Sequence, residues 1–218
     1  MKKIFLCFIS TLIVAAAYAQ RKKEFQIRGG FGFAVYGTTT EFAYTPSDPD
    51  LVLKDEDGAA TVHLPLELRY EISQRFNLGL DLKWGSYLYD PDSSEGKANR
   101  FYVIGFGAEY TLVNNDNFRW YLGAGFNAAG LELEEDYTFL GLPVHQVATY
   151  SGGGFRLNSG VLWFFAGPFG LNFNMGFDSH NFKLKDLEQN GQASDLSDIE
   201  GSLTVKGADF TLGLVVRL

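Results

Sequence analysis

A period of two dominates this chain. Across residues 207–218, Phe210, Leu212, Leu214, Val216 and Leu218 alternate with Asp209, Thr211, Gly213, Val215 and Arg217. Successive side chains on a strand point to opposite faces, so this segment has one oily face and one largely polar or small face. A terminal strand with free backbone groups would template aggregation in water. Pairing with the first strand would remove that edge and close the sheet into a barrel.

The same alternation recurs upstream. Phe25, Ile27, Gly29, Phe31, Phe33 and Val35 oppose Gln26, Arg28, Gly30, Gly32, Ala34 and Tyr36. Val62, Leu64, Leu66, Leu68, Tyr70 and Ile72 oppose His63, Pro65, Glu67, Arg69 and Glu71. Phe76, Leu78, Leu80, Leu82 and Trp84 oppose Asn77, Gly79, Asp81, Lys83 and Gly85. A fourth strand turns Tyr102, Ile104, Phe106, Ala108, Tyr110 and Leu112 outward, and a fifth Trp120, Leu122, Ala124, Phe126 and Ala128. The sixth, residues 147–163, is the least regular, and Gly152, Gly153 and Gly154 predict a bend or bulge in it. The seventh sets Leu171, Phe173, Met175 and Phe177 against Asn172, Asn174, Gly176 and Asp178.

The connections alternate in length. Residues 38–60, 89–99, 131–146 and 183–202 read as long polar loops, although Leu131–Glu132–Leu133–Glu134 could prolong its strand. Residues 73–75, 114–117 and 164–168 read as short turns. An even strand count with alternating long and short connections is the pattern of a transmembrane barrel. Trp120, Trp163, Tyr70 and Tyr110 fall near the short turns, and Trp84, Tyr87 and Tyr102 near the long loops, as two aromatic girdles would. A soluble β-sandwich would need no such girdles. The expected fold is all-β: an eight-stranded antiparallel up-and-down transmembrane β-barrel with short periplasmic turns, long extracellular loops and both termini in the periplasm.

Residues 1–19 are not read as part of the fold. Lys2 and Lys3 precede an apolar run, and Ala17-Tyr18-Ala19 fits a cleavage site, so residues 1–19 read as a signal peptide and 20–218 as one barrel domain. The single cysteine, Cys7, falls in that leader, which leaves the barrel without a disulfide. No other run is long enough for a spanning helix. Removing Lys2 and Lys3 takes the formal net charge from −8 to −10, which argues against nucleic acid as a partner.

The chain resembles the small eight-stranded outer-membrane barrels typified by OmpX and the membrane domain of OmpA. The resemblance covers residues 20–218 by pattern rather than by a diagnostic motif. The segment from Phe210 to Leu218 resembles that family's assembly signal, which usually ends in an aromatic residue and here ends in Leu218. The barrel is expected to be the last domain, with no peptidoglycan-binding domain after it. The resemblance implies residence in the cell outer membrane, contact with its lipids and lipopolysaccharide, insertion by the barrel assembly machinery through the last strand, and a monomer.

Three groups of residues could carry chemistry. Inward-facing Arg28, Arg69, Lys83, Arg156 and Arg217 nearly balance Glu67, Glu71, Asp81, Glu109, Asp178 and Asp209, which predicts a salt-bridged plug, since an eight-stranded interior is just filled by side chains. At the loop-side rim, Asp178-Ser179-His180 and His63 suggest a catalytic cluster, but Ser179 faces away from Asp178 and His180 on a regular strand. The loops hold 18 of the 26 acids, and Asp48, Asp50, Asp90 and Asp92 offer oxygen ligands without the spacing of a dedicated calcium loop. No catalytic, cofactor or metal residue is assigned. The expected function is a non-enzymatic outer-membrane protein with a closed polar interior, serving envelope integrity or adhesion through acidic loops. The alternatives are a lipid A-modifying acyltransferase or deacylase, and a small-solute or ion pore.

Overall fold

The structure, a computed structural model, describes residues 23–44, 52–89, 99–196 and 199–218. The expected leader and the Asp48, Asp50, Asp90 and Asp92 carboxylates lie outside the described residues. The strands are β1 (Phe25–Tyr44), β2 (Val52–Ser73), β3 (Phe76–Tyr89), β4 (Asn99–Asn114), β5 (Phe118–Phe139), β6 (Leu142–Ala166), β7 (Phe169–Gln189), β8 (Gln192–Ala193) and β9 (Ile199–Arg217). Each long strand pairs antiparallel with its neighbour, and β9 pairs with both β7 and β1. Eight long strands therefore close a ring, as the alternation requires, while the two residues of β8 fold back onto β7. Closure leaves no free edge among these strands and satisfies the backbone groups that lipid cannot.

The outer surface carries an apolar belt. Phe31, Phe33, Leu80, Ile104, Phe106, Phe126, Phe173 and Leu212 all point outward and are exposed. At about 3.3 Å per residue and a tilt of about 40°, the stretch from Phe25 to Val35 rises about 25 Å, the height of a transmembrane barrel's apolar band. Tyr70, Tyr110, Trp120 and Trp163 border it at the short-turn end and Trp84 and Tyr102 at the other. Trp120 donates its indole N–H to Ser159 Oγ at 2.9 Å. Tyr87 departs from the expected girdle. It lies three residues from outward Trp84, hence on the opposite face, and is buried inside the barrel at 1 % exposure.

Three of the expected long loops are largely strand. β5 and β6 pair to Phe139↔Leu142, joined by Leu140–Gly141, and β7 runs on to Gln189 before the Asn190–Gly191 turn. Both turns hold positive φ at both central residues, the twist that joins antiparallel strands most tightly. β1 likewise continues to Tyr44 and β2 begins at Val52.

Beyond the belt the phase of the alternation inverts. On β5, Leu122 and Phe126 point outward, but further along Leu131 is buried inside while Glu132 and Glu134 face out. On β9, Phe210 and Leu212 face out, whereas Leu203 and Val205 are buried inside behind Thr204 and Lys206. Outward side chains must suit lipid below that switch and water above it, so the switch marks the belt's edge.

β6 is more regular than expected. Its register shifts against β7 lie at Thr149/Tyr150 and Phe164/Ala166 and not at the glycines. Gly154 is needed for space: a Cβ there would sit 2.7 Å from His180 Nδ1 and 2.1 Å from the Ser179 carbonyl oxygen. The turn expected at 164–168 shortens to Gly167–Pro168, and Phe164 belongs to β6 and is buried inside.

Candidate functional site

The interior is filled in three layers. At the short-turn mouth, Arg119 donates to both carboxylate oxygens of Glu24 at 2.9 Å and stands 3.9 Å from Glu71. Phe164, packed with Tyr121, Leu162 and Val215, lies beneath the guanidinium of Arg217, which is 3.8 Å from the ring centroid. Arg217 donates to the Gly167 carbonyl at 2.7 Å, so it anchors the turn and takes no part in the expected plug of carboxylates.

Above this layer the ion pairs form one continuous network. Arg28 donates to both oxygens of Glu109 at 2.8 Å, and its guanidinium lies 4.7 Å from the centre of the Tyr121 ring. Arg69 donates to Glu109 at 2.7 Å and to Asp81 at 2.5 Å. Glu67 stands 3.4 to 3.5 Å from Arg28, Arg69 and Arg156, and so joins this half to the next. There Arg156 donates to Asp209 at 2.9 Å, and Lys83 donates to Asp178 at 2.7 Å and Asp209 at 3.0 Å. His63 Nε2 comes within 3.2 Å of Asp209.

These charges sit together because the strands carry them at matched register. Arg28 pairs with Glu67, which pairs with Asp81, on three successive strands. Inward glycines leave room for the long side chains. A Cβ at Gly32 would lie 2.3 Å from His63 Nε2, so any larger residue there displaces the imidazole. All of these groups are almost fully buried except Asp81, and mutual pairing is what makes their burial tolerable.

The third layer is apolar. Tyr36, Tyr87, Phe101, Val103, Leu131, Tyr150, Phe182, Leu203 and Val205 form a buried cluster, with Leu133, Leu184 and Leu187 packed on it. The expectation of a wholly polar interior therefore holds only for the part within the belt. Where the outside turns wet, the inside turns dry.

The suggested rim cluster does not assemble as a catalytic site. Asp178 is engaged by Lys83, and His63 by Asp209. His180 packs between Phe101 and Phe182, with ring centroids 6.3 and 5.7 Å away, and neither of its nitrogens has a hydrogen-bond partner among the described residues. Ser179 lies on the opposite face of β7. The structure does bring together Glu67, Asp81, Glu109, Asp178 and Asp209 with Arg28, Arg69, Lys83 and Arg156 as expected, and places Glu71 at the mouth beside Arg119. The Arg119–Glu24 clamp and the apolar upper layer were not foreseen. Arg119 neighbours outward Trp120, and that alone marks it as inward. Among the described residues no group of His, Cys, Asp and Glu is arranged to hold a metal ion.

The family profile described as "Outer membrane protein beta-barrel domain" matches residues 4–217. No curated protein matches significantly. Among solved structures, the outer membrane protein OprG from Pseudomonas aeruginosa is similar in fold, with a TM-score of 0.62 and 13% identity, over 92% of this chain and 98% of that one. Ail, the attachment invasion locus protein of Yersinia pestis, aligns at a TM-score of 0.38 and 13% identity, over 91% of this chain and all of its own (100%).

Proposed function

Because the chain belongs to the outer membrane protein beta-barrel domain family, we propose that it is a non-enzymatic protein of the outer membrane that supports envelope integrity or surface contact through its acidic hairpins. The observation that carries this reading is the interior: clamp, ion network and apolar core occupy its described length in succession. A lumen filled in this way favours a surface or structural role over transport. The hairpins offer the working surface. Glu132, Glu134, Glu135 and Asp136 line β5 beyond the belt, and Asp186 and Glu188 line β7.

In this reading the leader is cleaved after Ala19 and residues 20–218 insert as a monomer through the barrel assembly machinery, which takes β9 as its signal. Both termini and the short turns then lie in the periplasm, and the prolonged hairpins stand outside the cell among lipopolysaccharide.

Lipid A composition tests the non-enzymatic claim. Lipid A extracted from cells expressing the protein is expected to match that from cells lacking it, species for species, by mass spectrometry. A new acylated or deacylated species that depends on the protein would make it an enzyme instead.

A further inference from the structure

The outward cations beyond the belt are not evenly spread. Arg100 on β4 is 3.7 Å from Glu132, and Lys54 on β2 is 2.8 Å from Glu56. On the β7–β9 face, Lys183, Lys185 and Lys206 are exposed and pair with no carboxylate among the described residues. This end of the molecule holds most of the described acids, so three lysines on one face without a carboxylate partner stand out, and Lys183 and Lys206 belong to the paired part of that face.

Their setting is ordered. The register places Ser179 opposite Lys206, Asn181 opposite Thr204 and Lys183 opposite Ser202. Thr204 donates to Asn181 Oδ1 at 3.1 Å, so a ladder of polar groups runs between the two ammonium groups. Small residues flank it, with Gly37 beside Lys206, and Gly153 and Ser151 beside Asn181 and Lys183. A bulky headgroup can therefore reach the backbone level. Directly beneath, the belt on this face is aromatic: Phe155 and Phe177 meet at 6.3 Å, and Phe33 stacks on Phe210 at 5.1 Å. Above Lys183 the pairing of β7 with β9 ends, and a groove of about 360 Å³ opens there, edged by Glu41, Lys183, Glu200 and Ser202.

From this stacking of three chemistries we propose that the β7–β9 face binds one lipopolysaccharide molecule through the phosphates of its lipid A. Lys183 and Lys206 engage the phosphates. Asn181 and Thr204 meet the sugar hydroxyls, the phenylalanines take the acyl chains, and the carboxylates of the groove accept hydrogen bonds from the first core sugars. Ammonium groups at a headgroup plane attract anionic lipid at short range, and the attraction is screened by salt. The site rests on the orientation proposed above, which sets the hairpin end in the outer leaflet.

The test uses the folded full-length barrel in detergent micelles and counts bound lipid by native mass spectrometry. The probes are diphosphoryl lipid A, dephosphorylated lipid A and phosphatidylglycerol. Wild type is expected to retain diphosphoryl lipid A over both others. The double variant Lys183→Ala with Lys206→Ala is expected to lose about 30-fold in affinity, at about tenfold or less per lysine. Lys54→Ala with Arg100→Ala is expected to bind as wild type. Heat-dependent gel mobility confirms that each variant is folded. Equal retention of phosphorylated and dephosphorylated lipid A, unchanged binding by the β7–β9 variant, or preference for phosphatidylglycerol would overturn the site. Protease cleavage of the β5–β6 hairpin on intact cells reads the orientation separately, so a failed site and a failed orientation are told apart.

Discussion

Replacing Glu109 with alanine is expected to destabilise the barrel by about 3–5 kcal/mol, the loss typical when one member of a buried ion pair is removed. Glu109 is 2 % exposed and accepts three hydrogen bonds from two arginines, from both terminal nitrogens of Arg28 and from Nε of Arg69. Its loss strands part of both guanidiniums in a dry interior, and neither can shed its proton. Arg69 keeps Asp81, but Arg28 is left with Glu67 at 3.4 Å and the Gln26 amide oxygen. Glu132→Ala removes the partner of Arg100 at the wet surface, where such a pair contributes about 0–1 kcal/mol. Urea unfolding of both variants from lipid vesicles, followed by tryptophan fluorescence, compares them. If Glu109→Ala unfolded at the same urea concentration as Glu132→Ala, the network would not hold the barrel together as described.

Phe173→Arg tests the belt rather than the plug. Phe173 is 58 % exposed and lies midway along the outward row from Phe169 to Phe177. In water, an arginine there would be harmless or even welcome. At the bilayer midplane it costs about 2–4 kcal/mol, falling towards about 0–1 near the interface. Thr149→Arg, outward on β6 beyond the belt, is the matched control. Folding free energies in vesicles are expected to separate the two variants by at least about 2 kcal/mol. Equal stabilities would mean that Phe173 does not face hydrocarbon.

How much of this was legible beforehand follows from what alternation encodes. Period two reports which residues share a face, so the inward and outward rows of the strands and the membership of the ion network could be read directly. It does not report which face is wet. The runs Leu131-Glu132-Leu133-Glu134 and Leu203-Thr204-Val205-Lys206 alternate as cleanly as the membrane strands, but with the oily side inward. The first reads as a polar loop that could prolong its strand and the second falls between the 183–202 loop and the 207–218 strand, so neither reveals the apolar upper core. Tyr87 differs for a related reason: its position close to the belt's edge suggests a girdle, but its odd spacing from outward Trp84 puts it inside. The catalytic cluster failed on tertiary grounds. Shared facing put Asp178 and His180 inside together, but only packing could show Lys83 claiming the carboxylate and two phenylalanines claiming the imidazole.

A barrel that crosses the outer membrane and is filled along its described length should carry no current. Planar-bilayer recording of the refolded protein tests it most directly. Insertion is expected, verified by heat-dependent gel mobility of the same sample, with no stable current steps above the leak of the bare bilayer. Reproducible nanosiemens-scale openings from the folded wild-type protein would contradict it, because they require a water-filled path through the layers that Glu109, Asp209 and Phe182 occupy.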